Sequence, residues 1–227
     1  MKKNILLGVI SLITSSLLAA DTSPKDDITA AAKKLGETPN YSWKATVVVP
    51  ESAQFKPGPT EGKTEKDGFT YVTMSFGDNL TEAIIKGEKA AVTNQDGDWQ
   101  ATSELETAEG AGRFIVRMVR NLKTPAIQAS ELAGAVKDLK KDGDVYSGEL
   151  TPDGAKAQFR FGTPKDYKGS VKFWLKDGMI SKYELKLRAK VDFNGNEMDL
   201  DRATTVEIKE VGTTKVNVPE AAKKKLA

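Results

Sequence analysis

Tyr183, Leu185, Leu187, Ala189, Val191 and Phe193 alternate with Glu184, Lys186, Arg188, Lys190 and Asp192. Successive side chains of a strand point to opposite sides, so this run builds one apolar face and one charged face. Eleven residues at ~3.4 Å each span roughly 37 Å, well beyond a common strand of about five or six residues. A sheet that is apolar on one face only is antiparallel. An apolar face this large must be covered. The rest of the chain therefore has to supply more strands and a lid for them.

The strands are easily found. Residues 170–211 read "SVKFWLKDGMISKYELKLRAKVDFNGNEMDLDRATTVEIKEV", and Asp177-Gly178 and Asn194-Gly195 cut them into a three-stranded meander. "YSWKATVVV" (41–49) places Tyr41, Trp43, Ala45, Val47 and Val49 on one side. Residues 69–77 and 82–94 read as further strands, and Asp96-Gly97 turns into 98–104. Residues 144–150 ("DVYSGEL") and 155–161 ("AKAQFRF") continue the β pattern, with Asp153-Gly154 between them as a turn. Lys-Asp-Gly recurs at 66–68, 141–143 and 176–178; the unequal intervals make it shared turn chemistry and not a repeat. Residues 50–68, with three prolines and three glycines, read as one long loop of the kind found in lids and insertions.

The cover comes from helical stretches. Residues 24–36 have Ser23 or Pro24 as a start, Asp26 and Asp27 at the positive helix end, and Ile28, Ala31, Ala32 and Leu35 on one face. Residues 109–122 carry Phe114, Ile115, Met118, Val119 and Leu122 at helical spacing, with Arg113, Arg117 and Arg120 on the opposite stripe. Residues 129–143 read as a third helix, with Ser130 as N-cap and Gly143 as C-cap. "PEAAKKKLA" frames a last helical turn.

The first twenty residues, "MKKNILLGVISLITSSLLAA", have the order of an export signal: two lysines, an apolar stretch of ~14 residues, and a small-residue end. At that length the stretch is short for a membrane span of roughly 20 residues, so cleavage after Ala20 is expected. The chain has no cysteine, hence no lipid-modified cysteine and no disulfide. A soluble, exported protein of the periplasm is the expectation, with residues 21–227 forming one domain. Removing the leader's two lysines from 34 basic residues leaves 32 against 32 acidic ones, so no global field draws in nucleic acid.

Chemistry is sparse. Without histidine or cysteine, the usual catalytic triads, zinc sites and iron–sulfur clusters have no ligands. No cofactor and no enzyme are expected. Asp192, Asn194, Asn196, Asp199 and Asp201 imitate a calcium loop, but glycine falls fourth and the twelfth residue is Ala203, unlike an EF-hand. The Arg113/Arg117/Arg120 stripe reads either as a membrane- or partner-facing surface or as a solvated outer face. Trp43, Trp99 and Trp174 suit sheet packing.

A helix, a set of strands, a central helical pair, and strands again: this order, together with export, resembles the lipoprotein-carrier (Lol-type) family and its relatives among mycobacterial lipid-binding lipoproteins. The resemblance covers nearly the whole mature chain and carries no residue motif. It implies an α+β fold in which a strongly curved antiparallel sheet forms an unclosed half-barrel and helices plug its concave face. It implies a hydrophobic cavity there for the acyl chain of a lipid or lipidated protein, carried across the envelope. On the apolar faces above, Trp43, Val47, Val49, Phe114, Met118, Tyr183, Leu185, Leu187, Val191 and Phe193 would line it. Small residues such as Ala111, Ala133, Gly134 and Ala135 leave room under the helices. A fully packed two-layer core is the alternative. An envelope interaction or sensor module, docking a protein on the same sheet and loops, is the alternative function.

Overall fold

A computed structural model of the chain describes residues 22–53, 56–76, 79–106, 111–159, 163–193 and 196–227. The leader and the Asn194-Gly195 turn lie outside them. In chain order the elements are α1 (Pro24–Glu37), β1 (Asn40–Val48), β2 (Thr60–Glu65), β3 (Thr70–Phe76), β4 (Asn79–Lys86), β5 (Lys89–Thr93), β6 (Trp99–Ala101), α2 (Ala111–Arg120) and α3 (Pro125–Ala135). Then follow β7 (Lys140–Asp142), β8 (Val145–Glu149), α4 (Pro152–Lys156), β9 (Thr163–Lys176), β10 (Met179–Phe193), β11 (Asn196–Lys209) and α5 (Glu220–Lys225).

All the strands form one antiparallel sheet of eleven, in the order β6-β5-β4-β3-β2-β1-β11-β10-β9-β8-β7. Two meanders, β1 to β6 and β7 to β11, are joined where β1 pairs with β11 from Ser42↔Lys209 to Val48↔Ala203. The edge strands β6 and β7 do not pair with each other, so the half-barrel stays unclosed. Its long strands bend at two register shifts between β9 and β10, at Ile180/Lys182 and Arg188/Lys190. The β9–β10 hairpin is made by Asp177 and Gly178, both in the left-handed region (φ 53° and 70°), as a tight two-residue turn requires.

α1 forms where its sequence directs. Ser23 Oγ accepts from the Asp26 N–H (3.2 Å), Pro24 fills the first turn, and Ile28, Ala31, Ala32 and Leu35 are buried. α5 covers a patch of the convex face, where Ala222 and Leu226 meet Ile84 and Ala91 of β4 and β5.

Four expectations are corrected. Residues 50–68 are not one loop, since Thr60–Glu65 is a full strand between β1 and β3. The strand expected at 82–94 is broken at Gly87 (φ 58°) into β4 and β5. The helix expected at 129–143 runs from Pro125 to Ala135. Proline at the first turn starts it early, so Ser130 is interior. It stops because Val136 bridges Leu150, and Lys137 N–H donates to Glu149 O (2.9 Å). Gly143 (φ 58°) turns the β7–β8 hairpin instead of capping a helix. Finally, of the strand expected at 155–161, residues 155–159 form no strand, and 160–161 lie outside the described residues. Asp153-Gly154 lies inside α4, whose N-cap Thr151 accepts from the Gly154 N–H (3.0 Å).

Candidate functional site

Register decides which side chains face the concavity. Opposite Trp43, Ala45 and Val47 of β1 stand Ile208, Val206 and Thr204 of β11. Opposite Val206, Thr204, Arg202, Leu200 and Met198 stand Tyr183, Leu185, Leu187, Ala189 and Val191 of β10. Phe173, Val171 and Gly169 of β9 continue the floor beyond Tyr183, Leu185 and Leu187. On the other side of β1, Gly62 lies opposite Trp43 and Val72 opposite Gly62. A Cβ at Gly62 would collide with the Trp43 indole, so the ring lies directly on that glycine.

Under α1 and α3 this floor is filled with side chains. Ile28, Leu35, Leu132, Phe173 and Tyr183 are essentially inaccessible to solvent, and the Phe173 and Tyr183 rings meet at 6.2 Å with a tilted geometry. Three tyrosine hydroxyls tie the sheet to the helices. Tyr183 OH donates to Gln128 Oε1 of α3 (2.6 Å), Tyr146 OH donates to Asp27 Oδ2 of α1 (2.9 Å), and Tyr41 OH accepts from the Ala126 N–H (3.4 Å). Burial pushes the Tyr183 hydroxyl far above its ordinary pKa, with the neighbouring Tyr41 adding to it. Hydrogen bonds from Thr22 and then Tyr146 hold the Asp27 carboxyl below its ordinary value, and Lys141 adds to this. Lys34 Nζ caps the arrangement by donating to Asp177 O in the β9–β10 turn (2.8 Å).

Toward the far ends of β1 and β11 the cover runs out. α4 and Phe159 extend it over β9, where the Phe159 and Tyr167 rings lie 6.4 Å apart. The Arg202 guanidinium donates to Gln158 O (3.2 Å) and marks its edge. Beyond Arg202 a pocket of about 460 Å³ opens, within the roughly 300–1,000 Å³ of small-molecule sites. Val47, Val49, Pro50, Ala53, Pro57, Met198 and Leu200 give it an apolar lining, which Ser52, Asp199, Asp201 and Arg202 complete. Met198 is 49% exposed there. Valines, prolines, a leucine and a thioether make most of its wall apolar.

The residues expected to line a cavity separate into three groups. Val47 and Val49 line this pocket. Trp43, Tyr183, Leu185, Leu187 and Val191 share its concave face but are buried, the first four of them in the core beneath the helices. On α2, Met118 is half-buried against that core and Phe114 is 42% exposed. The Phe193 side chain lies outside the described residues. Met198, Leu200, Pro50, Ser52, Ala53 and Pro57 line the pocket without having been expected there. The alternation of Met198 and Leu200 with Asp199 and Asp201 was the available signal.

Arg113, Arg117 and Arg120 are exposed on α2, and together with Leu105, Glu106, Val116 and Asn121 they line a shallow groove of about 390 Å³. Arg120 pairs with Glu106. Trp174, on the convex face, lies beneath Lys182 Nζ, 4.0 Å from the ring centroid. No described helix is long and apolar enough to cross a membrane.

No protein-family model matches the chain, and no curated protein sequence matches it. Among solved structures it is similar to lipoprotein LppX of Mycobacterium tuberculosis, at 10% identity and a TM-score of 0.49, over 86% of this chain and 98% of that one. It is similar to LprF from Mycobacterium bovis, at 10% identity and a TM-score of 0.48, over 88% and 97%. A DUF1329 family protein from Desulfovibrio piger is more distant, at 12% identity and a TM-score of 0.34, over 88% and 97%. Identity this low transfers no residue's role.

Proposed function

We propose that this chain is an exported, non-catalytic carrier that shields the acyl chain of a lipid or lipidated protein in the bacterial envelope. The observation that carries the reading is the apolar pocket at the uncovered ends of β1 and β11, set against a core that is filled elsewhere. Its size and lining suit a hydrocarbon chain, and its half-open mouth lets a headgroup or an attached protein remain in water. The charged convex face, with pairs such as Arg188–Asp201 (2.9 Å), keeps the loaded carrier soluble. Periplasmic location and the single mature domain follow from the leader-like first twenty residues and belong to the same proposal.

The test is a lipid extract of protein recovered from the exported fraction, examined by mass spectrometry and followed by binding of a fluorescent fatty acid. Acyl lipids should co-purify and be displaced by the probe. Leu200→Glu places a charge in the pocket wall and should weaken probe binding about tenfold or more, since an unpaired charge facing a hydrocarbon chain loses solvation. A lipid-free protein that ignores the probe would end the proposal.

A further inference from the structure

We infer that the outward face of α2 docks on an anionic phospholipid bilayer. Folding alone does not account for its composition. Ala111–Arg120 holds three arginines and no acid. Arg113 stands in the first turn, where the helix dipole disfavours a cation. Val116 and Val119 are buried on the inner side. At about 100° per residue, Arg113, Phe114 and Arg117 fall within one arc of roughly 100° on the outer side. All three are exposed. Arg120 is neutralised by Glu106, whereas Arg113 and Arg117 have no ion-pair partner among the described residues.

Guanidinium groups match phosphate oxygens in a planar fork, and a phenyl ring beside them suits the boundary between headgroups and acyl chains. The size of the face favours a lipid surface over a protein. A ten-residue helix is about 15 Å long and some 10 Å across, far below the ~800 Å² that each partner gives a stable protein complex. The face is also separate from the pocket. Val119, Arg120 and Leu122 share a groove with Ile85, Gly87 and Ala90, so α2 lies against the β4–β5 side of the sheet, several strands from β11. Docking and cargo binding are therefore separable by mutation.

Flotation of the exported protein with phosphatidylglycerol–phosphatidylcholine vesicles, against pure phosphatidylcholine vesicles, tests this. The protein should float with the anionic vesicles at low salt and leave them as salt rises. Arg113→Glu/Arg117→Glu should lower vesicle partitioning by about 25-fold or more, at roughly fivefold per basic residue near an anionic surface. Phe114→Ser should lower it less, and Arg113→Lys/Arg117→Lys should keep most of it. Fatty-acid binding should be unchanged in all of these, so a failure here leaves the carrier reading intact. Equal flotation with both vesicles, none with either, an unchanged double glutamate variant, or loss of binding in the lysine variant would overturn the inference. So would full competition by soluble glycerol phosphate, which would reveal a site for free phosphate.

Discussion

Around Phe173 and Tyr183 the concave face is filled with side chains; around Val47 and Leu200, on neighbouring β1 and β11, the same face opens into a pocket. The difference comes from length. A strand rises about 3.4 Å per residue and a helix 1.5 Å. The fifteen residues of β10 therefore reach about 51 Å, while the fourteen of α1 reach only about 21 Å. Even laid end to end along the strand, α1 covers less than half of it. α3 and α4 fill in beneath and beside it, and the corner at β1 and β11 is what remains. A fold made of long strands and short helices produces its own vacancy, and no special cavity residue is needed.

Phe173→Ala should give the largest effect on this comparison. Truncating an inaccessible ring in the packed region costs ~3–5 kcal/mol, read by urea unfolding, whereas Leu200→Ala should cost about 1 kcal/mol or less. Equal costs at the two positions would erase the contrast. Next comes Gly62→Ala, inside the packed region where it meets Trp43. A methyl there displaces the Trp43 indole, at ~1–3 kcal/mol for an overpacked site, with a shift in tryptophan emission. A silent variant would mean that the packing around the ring is loose and would weaken the contrast.

The smallest effect concerns the α1 tether. The Asp27 carboxyl is held below its ordinary 3.8 by Thr22, Tyr146 and Lys141. Its folded value lies below its unfolded one, so the stability it contributes is present above about pH 4 and is lost as pH falls through the folded value. Protection factors of the α1 amides, which are corrected for the slower intrinsic exchange in acid, should fall on acidification below that point in the wild type. In Asp27→Asn this part of the pH dependence should be absent. Because the carboxylate is only partly buried and its ion pair with Lys141 is long (3.8 Å), the change should be modest.

Much of this fold was legible. The meander declares itself because alternation and Asp-Gly turns agree, and α1 because its cap, first-turn acids and apolar stripe agree. β2 was invisible because "TEGKTE" contains no apolar residue; the neighbouring Trp43 supplies the side chain that covers its glycine. α4 carried a start signal, Thr151-Pro152-Asp153, but Asp153-Gly154 reads equally well as a turn until the Thr151 cap is seen. For the site, alternation assigned Val47 and Leu187 to one face. It is silent on where along a strand the helices stop, and that boundary decides which apolar residues are core and which are pocket.

The central claim is that a hydrocarbon chain occupies the β1–β11 corner and not the space beneath α1 and α3. Photocrosslinking with a diazirine-bearing fatty acid, followed by peptide mass spectrometry, tests it most directly. Adducts are expected on peptides containing Val47 to Ala53 and Met198 to Arg202. Adducts concentrated on Phe173 and Tyr183, or none above a non-binding control, would contradict it.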